Sequence, residues 1–282
     1  MIYLKEGWNL IAVTETIDIS LNSDIQECYS FKNGSYKSET ILEPKLGYWI
    51  RSYKSTVISS KIKINKHALF ILGDINYYGF NLIGHHNVAE NTKQWLINHR
   101  GYKEDNILFC SQLSQVKKNI KNLFQLVKQP YNKVFLWYTG HAIQISSNEV
   151  EDNYDDEYWQ HGMISDNVIT NLIINTHENS EIIIIADNCF SDGMIDSWKI
   201  NGKKNWLFIS ASREKGKDEY TSEFFTGDGG YMTYSLITSI GNKESYSREE
   251  ILNLLDEKYW KDPTGNILHK PIIWPENSSV KL

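Results

Sequence analysis

The sequence predicts an α/β protein, a mainly parallel β-sheet sandwiched by helices and preceded by a small all-β N-terminal domain. Three observations predict it. Beyond residue 62, short continuous apolar runs such as "KVFLWY" and "EIIIIA" alternate with amphipathic stretches, and an apolar run without alternation marks a strand covered on both faces. The first 58 residues are instead β-branched and aromatic, broken by Asn-Gly and by Pro-Lys-Leu-Gly, the pattern of strands and tight turns. At 282 residues, with 41% hydrophobic and 13% aromatic residues, the chain can bury a sizeable core.

In chain order, "GWNLIAVTETIDIS", "CYSFKNGSYKSET" and "GYWIRSYKSTVISSKIKI" supply the strands of a β unit over 1–58. "GWNLI" with the later "LGYWI" is similar to a small all-β module appended to various bacterial proteins, a likeness that implies no activity. "HALFILGDI" is then a strand and "NTKQWLINHRG" a helix ended by Gly101. "NILFC" is a strand, and "LSQVKKNIKNLFQLVKQP" a helix stopped by Pro130. "KVFLWYTGH" and "EIIIIADNC" are strands, with "SDNVITNLIINTH" as the helix between them. "NWLFISAS" is a further strand, and "GGYMTYSLITSI" and "SREEILNLLDEKYW" are helices.

Composition removes several function classes. The net charge of −6 is mild and spread out, and no basic stripe asks for nucleic acid. No apolar run approaches the ~18 residues of a membrane span. The opening "MIYLKEGWNLIAV" lacks the apolar core of a signal peptide, so the expected location is intracellular and cytoplasmic. Cys28, Cys110 and Cys189 lie far apart, which excludes a disulfide framework and a CxxC zinc site. A single nucleophilic cysteine is still compatible with that pattern, provided a histidine accompanies it.

His141 and Cys189 each end a buried strand, with 189 − 141 = 48 residues between them. If those strands are parallel neighbours, the segment between them is one crossover and both side chains emerge on one rim of the sheet. An imidazole there can take the thiol proton or stabilise the thiolate. Asp187 stands two residues before Cys189, so on an extended chain both point to one face. Bland readings compete, because a strand-end cysteine is ordinarily a core residue. Cys110 is read as an inert core thiol and Cys28 as structural. His85 and His86 are read as exposed loop histidines, since no Cys or His partner sits at ligand spacing. The acidic run from Glu149 to Glu157 is by default a solvated loop.

Taken together, these segments resemble the caspase-like cysteine peptidases of the metacaspase branch. That family has a strand ending Ser-Gly-His-Gly, an acidic loop, and a strand ending Asp-x-Cys-His-Ser-Gly. Here they stand as Thr139-Gly140-His141-Ala142, "EVEDNYDDEYW", and Asp187-Asn188-Cys189-Phe190-Ser191. "HALFILGDINYYGFNLIGHHNVAENTKQWL" is similar to the family's first strand, turn and helix, and "FISASREKGKDEYTSE" to the start of its small subunit. The resemblance implies a caspase-like fold over 62–282, large-subunit-like to 200 and small-subunit-like from 204. It implies Cys189 as nucleophile, His141 as general base or ion-pair partner, and the N–H groups of Gly140 and Cys189 as oxyanion hole. Asp187 matches the carboxylate that reads a basic P1 side chain. Asp156, Asp166, Asn167 and Asp196 match the places of calcium ligands, with Asn167 where the family has a second Asp. Ca2+ is the one cofactor implied. The implied partner is a polypeptide with a basic P1 residue, without nucleic acid or membrane, and the chain is expected as a monomer.

Three positions depart from the family: Ala142 for glycine, Phe190 for histidine, and Val88 where a second S1 carboxylate is expected. Self-cleavage is implied between Asp196 and Gly227, where Lys199, Lys203, Lys204, Arg213, Lys215 and Lys217 are available. Two alternatives stay open. One is a catalytically silent caspase-fold scaffold that binds a partner through the β unit or the old substrate groove. The other is a Cys-His peptidase that prefers a non-basic P1 residue.

Overall fold

The computed structural model describes residues 2–20, 22–58, 64–73, 85–145, 156–159, 161–189, 191–200, 202–212, 231–240, 246–255, 271–278, 280 and 282. They form two compact units, Met1–Ile64 and Asn65–Leu282.

In the first unit, β1 (Ile2–Leu4) pairs with β8 (Thr56–Ile58), and β3 (Ile17–Asp18) with β6 (Ile41–Leu42). A four-stranded antiparallel sheet runs β2 (Gly7–Ala12), β7 (Gly47–Ser52), β4 (Ile25–Lys32), β5 (Ser35–Ser38). The alternation written in "GYWIRS" has its physical counterpart here: Tyr48, Ile50 and Ser52 are buried while Trp49 and Arg51 face out. Asn33 and Gly34, with φ of 52° and 79°, make the two-residue turn between β4 and β5, whose twist suits paired strands. Leu4, Ile17, Leu42, Tyr48, Ile50 and Ile58 fill this unit's own core, together with Cys28. Burial pushes the Cys28 thiol up to about 12, in keeping with its reading as a structural cysteine.

The second unit is built on a six-stranded sheet. In chain order its strands are β9 (Asn65–Leu72), β10 (Ile107–Cys110), β11 (Asn132–Thr139), β15 (Glu181–Asp187), β16 (Trp206–Ser210) and β17 (Ile272–Trp274). Their spatial order is β10-β9-β11-β15-β16-β17, and only the β17 pairing is antiparallel. Helices α1 (His85–Arg100), α2 (Leu113–Val127), α3 (Asp166–Ile174), α4 (Tyr231–Ser239) and α5 (Arg248–Leu254) flank it. Beside it, β12 (Ala142–Ile145), β13 (Asp156–Trp159) and β14 (Ile164–Ser165) form a small antiparallel sheet.

The apolar runs have two faces because both sides of the sheet are covered. Phe135, Trp137, Ile183 and Ile185 join one core cluster with residues of α1, α4 and α5. Val134, Leu136, Ile182 and Ile184 join the other with residues of α2 and α3. A strand that must satisfy two cores cannot alternate polar with apolar, hence four consecutive isoleucines. Lys133 lies opposite Glu181 where β11 and β15 begin, and the two side chains meet at 2.9 Å. The expected fold class is thus the observed one.

Two local expectations are corrected. Helix α1 begins at His85, six residues before "NTKQWL", so His86 is an exposed residue of a first turn rather than of a loop. The end of the acidic run is not solvated loop: Asp156 and Glu157 belong to β13, and Glu157 is 2% exposed. Strand β17 adds an edge that the sequence does not predict, because three residues carry too little periodicity.

Candidate active site

The site is assembled by register. Along β11 and β15, Lys133 pairs with Glu181 and every successive residue follows to Thr139 opposite Asp187. His141 and Cys189 each lie two residues beyond that last pair, at the carboxyl rim of two adjacent parallel strands. Both side chains are half-buried, as a group that must meet both protein and solvent should be. The crossover that the 48-residue spacing demanded is α3 together with the small sheet.

Behind His141 the backbone is tightly constrained. Gly140 has φ 147°, and a Cβ there would lie 2.8 Å from the Cα of Gly73 and 3.0 Å from the Tyr138 hydroxyl. Gly73 in turn donates its N–H to the Thr139 carbonyl at 2.7 Å. Only glycine fits this approach of the β9 and β11 ends. The Tyr138 hydroxyl donates to the His141 carbonyl at 2.6 Å, and its ring stacks on Trp159 with centroids 4.4 Å apart. The small sheet therefore fixes the histidine's main chain through an aromatic pair.

The segment after β15 is pinned by serines. Ser212 accepts the Ser191 N–H through its Oγ at 3.1 Å, and its hydroxyl donates to the Asn188 carbonyl at 3.1 Å. Ser191 Oγ accepts the Ser212 N–H at 2.8 Å, and the Asp192 N–H reaches the Ser212 carbonyl at 3.0 Å. Trp274 Nε1 donates to Asp192 Oδ1 at 2.8 Å. A loop that leaves a buried strand would otherwise carry orphaned backbone groups, and these bonds satisfy them. Of these anchors, Tyr138, Trp159 and Trp274 escaped the sequence reading, since nothing local distinguishes an aromatic residue that packs from one that positions.

Asp187 is fully buried. Its Oδ2 accepts the Thr233 N–H at 2.9 Å, one of the first-turn amides of α4 that the helix itself leaves without acceptors. Trp137 Nε1 donates to the Thr233 hydroxyl at 3.0 Å. Oδ1 is buried and has no hydrogen-bond partner among the described residues. Burial is the main influence on this carboxyl and raises it from 3.8 to about 6, with the Thr233 bonds opposing.

The remaining candidates fall elsewhere. Val88 is 3% exposed within the core cluster below α1, and its carbonyl accepts the Thr92 hydroxyl. Cys110 is fully buried, as expected of a core thiol. Phe190, Arg213, Lys215, Lys217 and the side chain of Asp156 lie outside the described residues.

Of the candidate calcium ligands, Asp166, Asn167 and Asp196 have described side chains, and each makes a hydrogen bond within the protein. Asp166 is buried at the start of α3, and its Oδ1 accepts the Asn167 N–H. Asn167 Oδ1 and Asp196 Oδ2 both accept from one ammonium, Lys199 Nζ, at 3.3 and 3.0 Å. Among the described residues no group of three or more His, Cys, Asp or Glu side chains is placed to hold a metal ion. No helix of the described residues is long and apolar enough to cross a membrane.

A family model described as the metacaspase, peptidase C14 domain, matches residues 66–198. Metacaspase-6 of Arabidopsis thaliana is 29% identical over 216 residues, which cover 71% of this chain and 54% of that protein. This chain therefore spans about half the length of that relative. Among solved structures, a Geobacter sulfurreducens protein superposes with a TM-score of 0.51 at 15% identity, covering 74% of this chain and 92% of its own. Caspase-1 of Spodoptera frugiperda gives a TM-score of 0.51 at 10% identity, with 78% and 91% covered. At such identities the two structures speak for the fold alone.

Proposed function

We propose, on the premise that this is a caspase-like protein of the metacaspase branch, that it is a cysteine endopeptidase cleaving after arginine or lysine. The single observation that carries the reading is the register of Thr139 with Asp187, from which His141 and Cys189 leave one rim of the sheet together. The Cys189 thiolate attacks the scissile carbonyl and forms a thioester, while His141 gives a proton to the leaving amine. Water then attacks the thioester, His141 takes its proton, and the carboxylic acid and the thiol are released. The N–H groups of Gly140 and Cys189 receive the oxyanion, and the strain-intolerant Gly73–Gly140 contact keeps the first of them in place.

Asp187 Oδ1 is the acceptor for the basic P1 side chain. It is a buried carboxylate oxygen without a donor among the described residues, and a guanidinium or ammonium rewards it where an acidic residue would be repelled. The second reading, a peptidase with non-basic P1 preference, is favoured by one observation. The place expected for a second carboxylate is Val88, which belongs to the core and leaves Asp187 to act alone. Self-processing is proposed downstream of Asp196. Lys199 is held by Asp196 and Asn167, and Lys203 Nζ is bonded to the Thr176 carbonyl. The candidate cleavage sites are Lys199, Lys203, Lys204, Arg213, Lys215 and Lys217.

The test is incubation of the protein with Arg-, Lys-, Ala- and Asp-P1 peptides and, separately, with an arginyl chloromethyl ketone, followed by mass spectrometry. Cleavage after Arg and Lys with one adduct on Cys189 is the expected result. A folded protein that gives neither cleavage nor adduct is a scaffold, and cleavage only after uncharged residues selects the second reading.

A further inference from the structure

We propose that Lys199 supplies, from within the chain, the positive charge that calcium would bring, and that the segment after Cys189 is latched to α3 without a metal ion. The Lys199 ammonium bridges Asp196 Oδ2 at 3.0 Å and Asn167 Oδ1 at 3.3 Å. These are two of the four positions that the motif resemblance offers as calcium ligands, so one cationic group stands between them. The latch joins two separate elements. Asn167 is the second residue of α3, and Asp196 precedes and Lys199 ends the 3-10 turn Ser197–Lys199 that follows the Cys189 loop.

Several features fix the ammonium there. Asp196 has a side chain 11% exposed and Lys199 one 28% exposed, so this pair is screened less than a surface pair. The Asp196 N–H donates to Thr170 Oγ1 at 2.8 Å, which ties the acceptor's own backbone to α3. Lys199 Nζ also lies 4.9 Å from the Trp198 ring centroid, within reach of its face.

The same features oppose a divalent ion. Calcium takes 6–8 oxygens and gains affinity with the number of ligand charges. Asn167 contributes a neutral oxygen where a carboxylate would add a charge. Asp166 spends Oδ1 on the Asn167 N–H. An entering ion would also have to expel a like-charged ammonium from oxygens it already bonds. An ammonium with three donors and a single charge is matched to one carboxylate and one amide carbonyl.

The experiment compares wild type, Lys199→Met, and the double variant Lys199→Met/Asn167→Asp, each as the full chain. Thermal unfolding and calorimetric titration are run with calcium chloride and with chelator, and alkylation of Cys189 by iodoacetamide is timed in parallel. None of these readouts needs peptidase activity, so they stand apart from the reading of the chain as an enzyme. Wild type is expected to show no heat of calcium binding, and the same Tm and alkylation rate in both buffers. Lys199→Met should melt lower by about 2–4 °C, and Cys189 should be alkylated at a changed rate. The double variant should gain a calcium-dependent rise in Tm. A wild-type Tm that rises by several degrees with calcium, or a Lys199→Met protein identical to wild type in both Tm and alkylation, overturns the proposal.

Discussion

Asp187 Oδ2 accepts the backbone N–H of Thr233 at 2.9 Å, so the residue two before Cys189 is also the anchor that holds the first turn of α4 against the sheet. One carboxylate thus has a structural oxygen and one that no described residue bonds. The two uses can be separated by substitution. Asp187→Asn keeps a carbonyl acceptor for Thr233 but removes the charge. It should lower kcat/KM for Arg-P1 peptides by about 10- to 100-fold while leaving Ala-P1 turnover nearly unchanged. Asp187→Ala should in addition destabilise the fold by about 1–3 kcal/mol, read as a shift in the urea midpoint.

The same carboxyl sets a pH dependence. Its folded value, about 6, lies above its ordinary 3.8, so between these values the folded protein binds more protons than the unfolded one. The contribution of Asp187 to stability is therefore greatest below pH 4 and is lost as pH rises through about 6, an effect of about 3 kcal/mol. The proposed selection of basic P1 residues should run the other way, because only the ionised form attracts them. The ratio of Arg-P1 to Ala-P1 kcat/KM should rise as pH passes from 5 to 7, and Asp187→Asn should flatten both profiles.

Cys189→Ala and His141→Ala should each lower cleavage of Arg-P1 peptides by at least about 1,000-fold. Both side chains are half-buried rather than core residues, so Tm should change by only a few degrees. Peptide turnover and circular dichroism melts together check this. Activity surviving in Cys189→Ala would remove the thiol from the mechanism.

Gly140→Ala is expected to be severe. The added methyl would meet the Gly73 Cα at 2.8 Å in a backbone region that side chains avoid. A loss of about 2–4 kcal/mol should appear in chemical denaturation. Tyr138→Phe keeps the stack on Trp159 and deletes only the bond to the His141 carbonyl, so about 1 kcal/mol and a several-fold drop in kcat are expected.

Ser212→Ala removes the fully buried hydroxyl that accepts from Ser191 and donates to Asn188. About 1–3 kcal/mol should be lost, and the alkylation rate of Cys189 should change, since its loop is what those bonds hold. An unchanged alkylation rate in a destabilised protein would restrict Ser212 to a purely structural part.

Some of this was legible in one dimension because it depends on local chemistry. The four isoleucines before Asp187 announce a strand buried on both faces, the Asn33-Gly34 pair announces a hairpin, and the order histidine then cysteine at two strand ends announces a shared rim. Alternation is a short-range property of a backbone with a two-residue repeat, and turn residues declare their own dihedral angles. Three short segments resisted. Strand β17, the first turn of α1 and the pairing of Asp156 and Glu157 into β13 owe their form to neighbours distant in sequence.

By itself, the sequence determined the α/β class, the strand that carries Cys189, the strand that carries His141, and the place of Cys110 in the core. Only the tertiary structure decided what the candidate groups touch. It put Val88 in the core, set Thr233 on one oxygen of Asp187, and gave Lys199 to Asn167 and Asp196. The reason is physical. Burial, desolvation and hydrogen bonding depend on which residues are brought within a few ångströms, and most of those partners are separated by tens of residues along the chain.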